Sequence, residues 1–175
     1  MIAGHVVVDP PRDTPHGARV KLRVIVVGRD RGEPLCEIAD EYLGRLNRTY
    51  PTTLVEVKEE PARASSPVDR VRAIEAERLQ KALLPGERVV ALDERGKEHT
   101  SVELAQRLGR WADEGRSSVA FLIGGPNGLD PALVARADER WALSKLTLPH
   151  RLARVLLAEQ LYRAATILRG EPYHK

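Results

Sequence analysis

Cysteine is almost absent from this chain. Cys36 is the only one in 175 residues, which excludes an intrachain disulfide and a cysteine-rich metal site. That usage fits a reducing, cytoplasmic setting. No apolar run approaches the length needed to cross a bilayer. Ile2 to Val8 is too short and too poorly flanked for a secretory signal. A dinucleotide fingerprint is missing as well. It needs G-x-G-x-x-G on the first strand and an acid about twenty residues later. Here the first strand ends Val27-Gly-Arg-Asp30 and the glycines come late, which argues against a nucleotide-binding oxidoreductase. Gly-Lys-Ser/Thr occurs nowhere, so there is no Walker loop. His5, His16 and His99 are dispersed, and no metal-ligand spacing appears. Repeats and low-complexity tracts are also absent.

What is present is an ordinary soluble balance, 42% hydrophobic and 30% charged, on a chain long enough for one domain with its own core. Met1 to Arg19 holds Pro10, Pro11 and Pro15 with little periodicity, and Val20-Lys-Leu-Arg-Val-Ile-Val-Val27 then begins a strand abruptly. Residues 1–19 therefore read as a leader outside the fold. Either the natural chain starts at Val20, or the leader is a disordered extension. The net charge of +3 is unevenly placed: Ser144 to Lys175 carries six basic residues against two acids. A basic C-terminal third on a near-neutral body points to a polyanionic partner at one face.

Strand-like and helix-like stretches alternate. Lys21 to Val27, Thr53 to Lys58, Arg88 to Asp93, Ser118 to Ile123 and Trp141 to Leu143 read as strands. Pro34 to Arg48 carries a helical stripe. Ser66 reads as the cap of a second helix, with Pro67 at its first position and Val68, Val71, Ile74 and Leu79 on one side. Glu60 to Pro67 is a polar loop. Thr100 with Glu103 forms a capping box, Asp130 caps a short helix opened by Pro131, and the last helix runs from about His150 to Arg169. This alternation predicts an α/β fold, a mostly parallel sheet with helices on both faces. Ligands of such sheets lie beyond the carboxyl ends of the strands. Three segments qualify: Leu92 to Lys97, Gly124 to Gly128 and Ser144 to His150.

Each segment has a plain reading beside the functional one. Glycines at Gly124, Gly125 and Gly128 suit a plain turn, or a pocket of main chain where a ligand comes close. Asp93 to Lys97 reads as a polar loop. Leu146 and Leu148 are apolar in a loop, so they line a pocket for a flat ring or bury against the last helix. Glu159 and Arg163 have ion-pair spacing. Tyr173-His174-Lys175 is a frayed tail, or an aromatic and basic group that stacks a base and contacts phosphate.

Taken in order, these segments resemble one family. Leu92-Asp93…Gly96-Lys97, Leu122-Ile-Gly-Gly-Pro-x-Gly128 and Leu143-Ser…Leu146-Thr-Leu-Pro-His150 match it. So do Arg154, Glu159, Leu161-Tyr-Arg-Ala164 and Pro172-Tyr-His-Lys175. Over Val20 to Lys175 the chain is similar to the H group of ribosomal RNA large-subunit methyltransferases, within the SPOUT class. The resemblance implies a single domain over 20–175 with a C-terminal trefoil knot, which sequence rules alone would not predict. It implies a homodimer, S-adenosylmethionine as cofactor and no metal. The implied reaction is methylation of N3 of a pseudouridine in 23S RNA of the assembled ribosome. By the same resemblance, Leu92, Gly124, Gly125, Gly128 and the loop Lys145, Leu146, Thr147, Leu148, Pro149 and His150 surround the cofactor. His150, Arg154 and His174 are the catalytic candidates. Arg151, Arg154, Arg163, Tyr173, His174 and Lys175 are the RNA-binding candidates. The alternatives are another RNA target of the same class, or a non-catalytic ribosome-binding factor.

Overall fold

The computed structural model describes residues 20–29, 32–61 and 66–174. The leader reading of residues 1–19, part of the loop before the second helix, and the expectation for Lys175 lie outside them.

The chain alternates strand and helix from end to end. Its elements are β1 (Lys21–Val27), α1 (Pro34–Asn47), β2 (Thr52–Val57), α2 (Val68–Ala82) and β3 (Arg88–Glu98), followed by α3 (Ser101–Asp113), β4 (Ser118–Ile123), α4 (Pro131–Arg136), β5 (Glu139–Ala142) and α5 (His150–Leu168). One five-stranded sheet runs in the order β2-β1-β4-β3-β5, and every pairing is parallel. The predicted class, α/β with helices on both faces, is what forms.

Side chains alternate across each strand, and β1 shows the consequence. Leu22, Val24 and Val26 face α1, α3 and α5, where Leu43, Leu46, Leu108, Trp111, Leu157 and Leu161 complete the larger core. Ile25 and Val27 face α2 and α4, where Leu79, Leu133 and Val134 build the smaller one. Every residue of β4 is buried, as a central strand covered on both faces requires.

Local signals set most helix starts. Thr100 and Glu103 form the reciprocal capping box. Asp130 accepts from Ala132 N at 2.8 Å and Leu133 N at 3.2 Å. The start of α2 differs from expectation: Pro67 takes the cap position in extended conformation, with no side-chain cap bond, and Val68 is the first helical residue. Its buried face is also rotated. Val68 is 45% exposed, while Val71, Glu75, Ala76 and Leu79 are the buried residues.

The larger difference concerns β3. The predicted polar loop at Asp93 to Lys97 is part of that strand, which runs on to Glu98. Both Leu92 and Lys97 pair with Trp141, so the residues between them leave the ladder and return. Gly96 makes this possible, because an added Cβ would collide with the Trp141 and Ala142 backbone. The partner strand is Glu139–Ala142, two residues earlier than predicted. Glu139 anchors that edge: its carboxylate accepts from Arg88 at 2.9 Å, from Arg107, and from Trp141 Nε1 at 2.9 Å. Burial alone would raise this carboxyl, but the three donors outweigh it and hold it below the usual range.

Candidate active site

The carboxyl ends of β3, β4 and β5 open into one cavity of about 520 Å³. It is bounded by the β3 excursion from Leu92 to Arg95, by the turn after β4, and by the stretch between β5 and α5. These are the three segments that the strand-end rule selects.

The turn after β4 is main chain folded on itself. Gly128 N donates to Gly125 O at 2.9 Å, and the two residues form an isolated antiparallel bridge. An added Cβ on Gly124 would lie 2.5 Å from Gly128 C and 2.7 Å from Leu129 N. No side chain fits at Gly124, so there the turn offers the cavity main chain rather than a side chain. Such a surface suits a ligand that must approach closely.

The other two walls are tied to each other. Asp93 Oδ1 accepts from Arg95 N at 2.8 Å, which closes the tight bend of the excursion, and from Arg140 Nη2 at 2.6 Å. Burial opposes ionisation of Asp93, yet the Arg140 guanidinium and the Arg95 amide win and hold the carboxyl low. Thr147 Oγ1 donates to Glu94 Oε2 at 2.8 Å, joining the β5–α5 stretch to the excursion across 53 positions. Ser144 Oγ accepts from Leu146 N at 2.9 Å and shapes the turn that holds Leu146. Leu146 is 73% exposed and stands at the cavity edge.

The sequence-derived candidates divide clearly. Leu92, Gly124, Gly125, Gly128, Leu146, Thr147, Leu148 and His150 all line the cavity. Lys145 points outward, 88% exposed and 4.0 Å from Glu98. Pro149 occupies the cap position of α5. Neither lines the cavity wall.

Arg154 lies apart from the cavity. It is 4% exposed and does not line the cavity. Its guanidinium bridges Asp40 on α1 at 2.7 Å and Glu56 on β2 at 3.0 Å. A buried arginine held by two carboxylates joins elements; in this conformation it reaches neither cavity nor solvent. Arg163 is likewise engaged, 2.5 Å from Glu159. Arg151 lies 3.6 Å from Glu33 and is half-exposed.

Tyr173 and His174 follow the far end of α5. That helix has 19 residues, so His150 and the tail are separated by about 27 Å of helix. Tyr173 is docked rather than frayed. Its hydroxyl donates to Glu159 Oε1 at 3.1 Å, its ring meets Tyr162 edge-on at 5.0 Å, and Arg163 stacks over it at 4.7 Å. Burial, with Tyr42 and Glu159 alongside, pushes its hydroxyl well above the ordinary value.

Among the cavity residues outside the candidate set are three polar side chains, Arg72, Asn127 and Arg140, that could face a ligand. Arg140 carried a weak signal, a basic residue beside Trp141 in a short edge strand. Arg72 carried none, because its helix reads as an ordinary amphipathic element.

Comparison with known proteins gives this geometry its class. The family described as "Predicted SPOUT methyltransferase" matches residues 20–174. The fold is shared with the crystal structure of a probable methyltransferase from Bordetella pertussis Tohama I. That likeness has a TM-score of 0.53 at 19% identity and covers 84% of this chain and 97% of that one. What these define is a methyltransferase of the SPOUT class. Closer relatives narrow it. Ribosomal RNA large subunit methyltransferase H from Anaeromyxobacter sp. (strain Fw109-5) is 54% identical over 156 residues, 89% of this chain and 100% of that protein. The protein of the same name from Paraburkholderia xenovorans (strain LB400) is 47% identical over 89% of this chain and 99% of its own. The chain belongs to this ribosomal RNA large subunit methyltransferase H family.

Proposed function

We propose that the protein methylates N3 of a pseudouridine in 23S RNA of the assembled ribosome, using S-adenosylmethionine, in the cytoplasm and as a homodimer. The observation that carries the cofactor reading is the cradle at Gly124. A backbone turn with no room for a Cβ, beside a cavity edged by Leu92, Leu146 and Leu148, fits a flat adenine ring. The main-chain groups of the turn read the ring edge and the three leucines cover its faces. When bound, S-adenosylmethionine supplies an already activated methyl group.

The chain's own part is alignment, exclusion of water and handling of one proton. Leu146 and Leu148, with the Thr147–Glu94 tie, form the outer edge of the cavity, and a bound cofactor would cover the exposed Leu146. His150 lines the cavity at the start of α5 and is the side chain suited to accept the N3 proton. Tyr173 and His174 lie too far along α5 to serve the same cavity, so the composite reading takes them from a second copy. α1 and α5 leave Leu35, Ile38 and Leu152 exposed, an apolar surface that a second copy covers. A knotted C-terminal path belongs to the same reading, supported by the close passage of Gly96 over the β5 backbone. Arg151 and Tyr173 are the RNA contacts favoured by position, with Lys175 completing the tail.

The test is methyl transfer from labelled S-adenosylmethionine to intact ribosomes, separated large subunits and free RNA, followed by nucleoside mass spectrometry. Label at N3 of pseudouridine with intact ribosomes alone is expected. Label with free RNA overturns the assembled substrate. No label despite cofactor binding overturns the target.

A further inference from the structure

Helix α2 meets the glycine turn at two points that none of the roles above includes. Arg72 Nε donates to the Asn127 carbonyl at 2.6 Å, across 55 positions of sequence. One turn along, Glu75 is 3% exposed. Its Oε1 accepts from Glu60 N at 3.0 Å, while Oε2 is buried without a hydrogen-bond partner. The two oxygens flank the place where a side chain on Gly125 would begin. An added Cβ there would lie 3.2 and 3.3 Å from them and 3.1 Å from Val27 Cγ1.

Positions i and i+3 share one helix face, so both side chains meet the turn from the same side. A buried carboxylate oxygen with no partner costs stability, and an aliphatic residue in this place would avoid that cost. The cost falls directly beneath the backbone that forms the cavity wall. Burial raises the Glu75 carboxyl; the Glu60 amide and Arg78 oppose this, and Glu59 and Glu60 add to it.

We infer that Arg72 and Glu75 are positioning residues for the glycine turn, holding its main chain in the shape that accepts the cofactor. This rests on the reading that the cavity binds S-adenosylmethionine. Arg72 acts by fixing the Asn127 carbonyl. Glu75 acts by supporting Gly125 from behind while joining it, through Glu60, to the segment that follows β2. Neither touches the reacting atoms.

The test measures the Kd for S-adenosylhomocysteine by calorimetry, and amide hydrogen exchange across residues 124–129, well below the melting temperature of each protein. It compares wild type with Arg72→Ala, Glu75→Ala, Glu75→Gln and Arg70→Ala, the last being an exposed neighbour on the same helix. Arg72→Ala and Glu75→Ala are each expected to weaken binding about tenfold, the loss matching one buried hydrogen bond to a charged group. Exchange rises in the turn while β1 and β4 keep their protection. In turnover, KM for the cofactor rises and kcat at saturation stays near wild type, as loss of uniform binding requires. Glu75→Gln restores binding, because the shape and the Glu60 contact survive. Folded Arg72→Ala and Glu75→Ala proteins with unchanged Kd and unchanged turn exchange would overturn the inference, as would a fall in kcat at constant KM. A wild type that does not bind S-adenosylhomocysteine overturns the cofactor reading instead, and the exchange data then decide the role of α2 alone.

Discussion

The two faces of the sheet do different jobs. On the side of α1, α3 and α5 the core holds every buried ring: Trp111 and Trp141 stack at 5.8 Å, and Phe121 meets Trp141 edge-on at 5.6 Å. On the side of α2 and α4 the described core has no ring, and a glutamate with an unmade bond is buried within it. One face is packed for stability. Unmade buried bonds occur on that face too, at Arg154 Nε and His99 Nε2, but the one at Glu75 lies next to the cavity wall, the pattern found where a binding surface has to be shaped. The cavity itself straddles the two, because it sits past the strand ends rather than on either face.

Phe121→Ala would break the comparison hardest. It removes the centre of the aromatic layer and is expected to cost about 4 kcal/mol, read by urea denaturation, with turnover lost through unfolding rather than chemistry. Arg154→Met comes next. It leaves Asp40 and Glu56 without their shared cation and is expected to cost about 2 kcal/mol, less than a fully buried pair because Asp40 is half-exposed. Cofactor affinity of the folded protein stays unchanged; a large loss there would return Arg154 to the active site.

Gly124→Ala works in the opposite sense. Because the added Cβ meets backbone, the turn must shift; cofactor affinity falls by roughly a hundredfold, and the overpacking costs only about 1–3 kcal/mol of stability, so the folded protein can still be assayed. Unaltered affinity would mean that the turn is not part of the binding surface. The smallest effect is the pH response of Glu75→Gln. A carboxyl whose folded value is raised adds no penalty below its unfolded value, about 4.3. The penalty grows as pH rises from there through the raised folded value, then stays constant. Glu75→Gln should therefore melt about 2–4 °C higher than wild type at pH 8 and equally at pH 4. The Glu59, Glu60 and Arg78 charges around it are common to both proteins.

Much of the fold was legible because it depends on short-range pattern. The capping box at Thr100, the cap at Asp130 and the buried run from Ser118 to Ile123 are local codes, and all three formed as written. β3 was misjudged because Asp93, Glu94, Arg95 and Gly96 are turn-forming residues, and nothing in them reveals that the chain rejoins the same partner strand. The rotated face of α2 was hidden for a related reason. Val68 and Ile74 have the hydrophobicity of core residues, but the glycine turn claims the neighbouring face for Glu75. At the candidate site the glycines and leucines were legible by type and place. The double ion pair of Arg154 was not, since a basic residue in the first turns of a helix looks the same whether it meets a ligand or two carboxylates.

By itself the sequence determined the alternation of strands and helices, the parallel class of the sheet and the strand ends where a site belongs, because hydrophobic period and capping act over a few residues. Only the tertiary structure decided which charges serve the site and which serve the frame. Arg72 reaches Asn127 and Arg154 reaches Asp40 across 55 and 114 positions, and a charge takes its role from whichever partner the fold brings within about 3 Å of it.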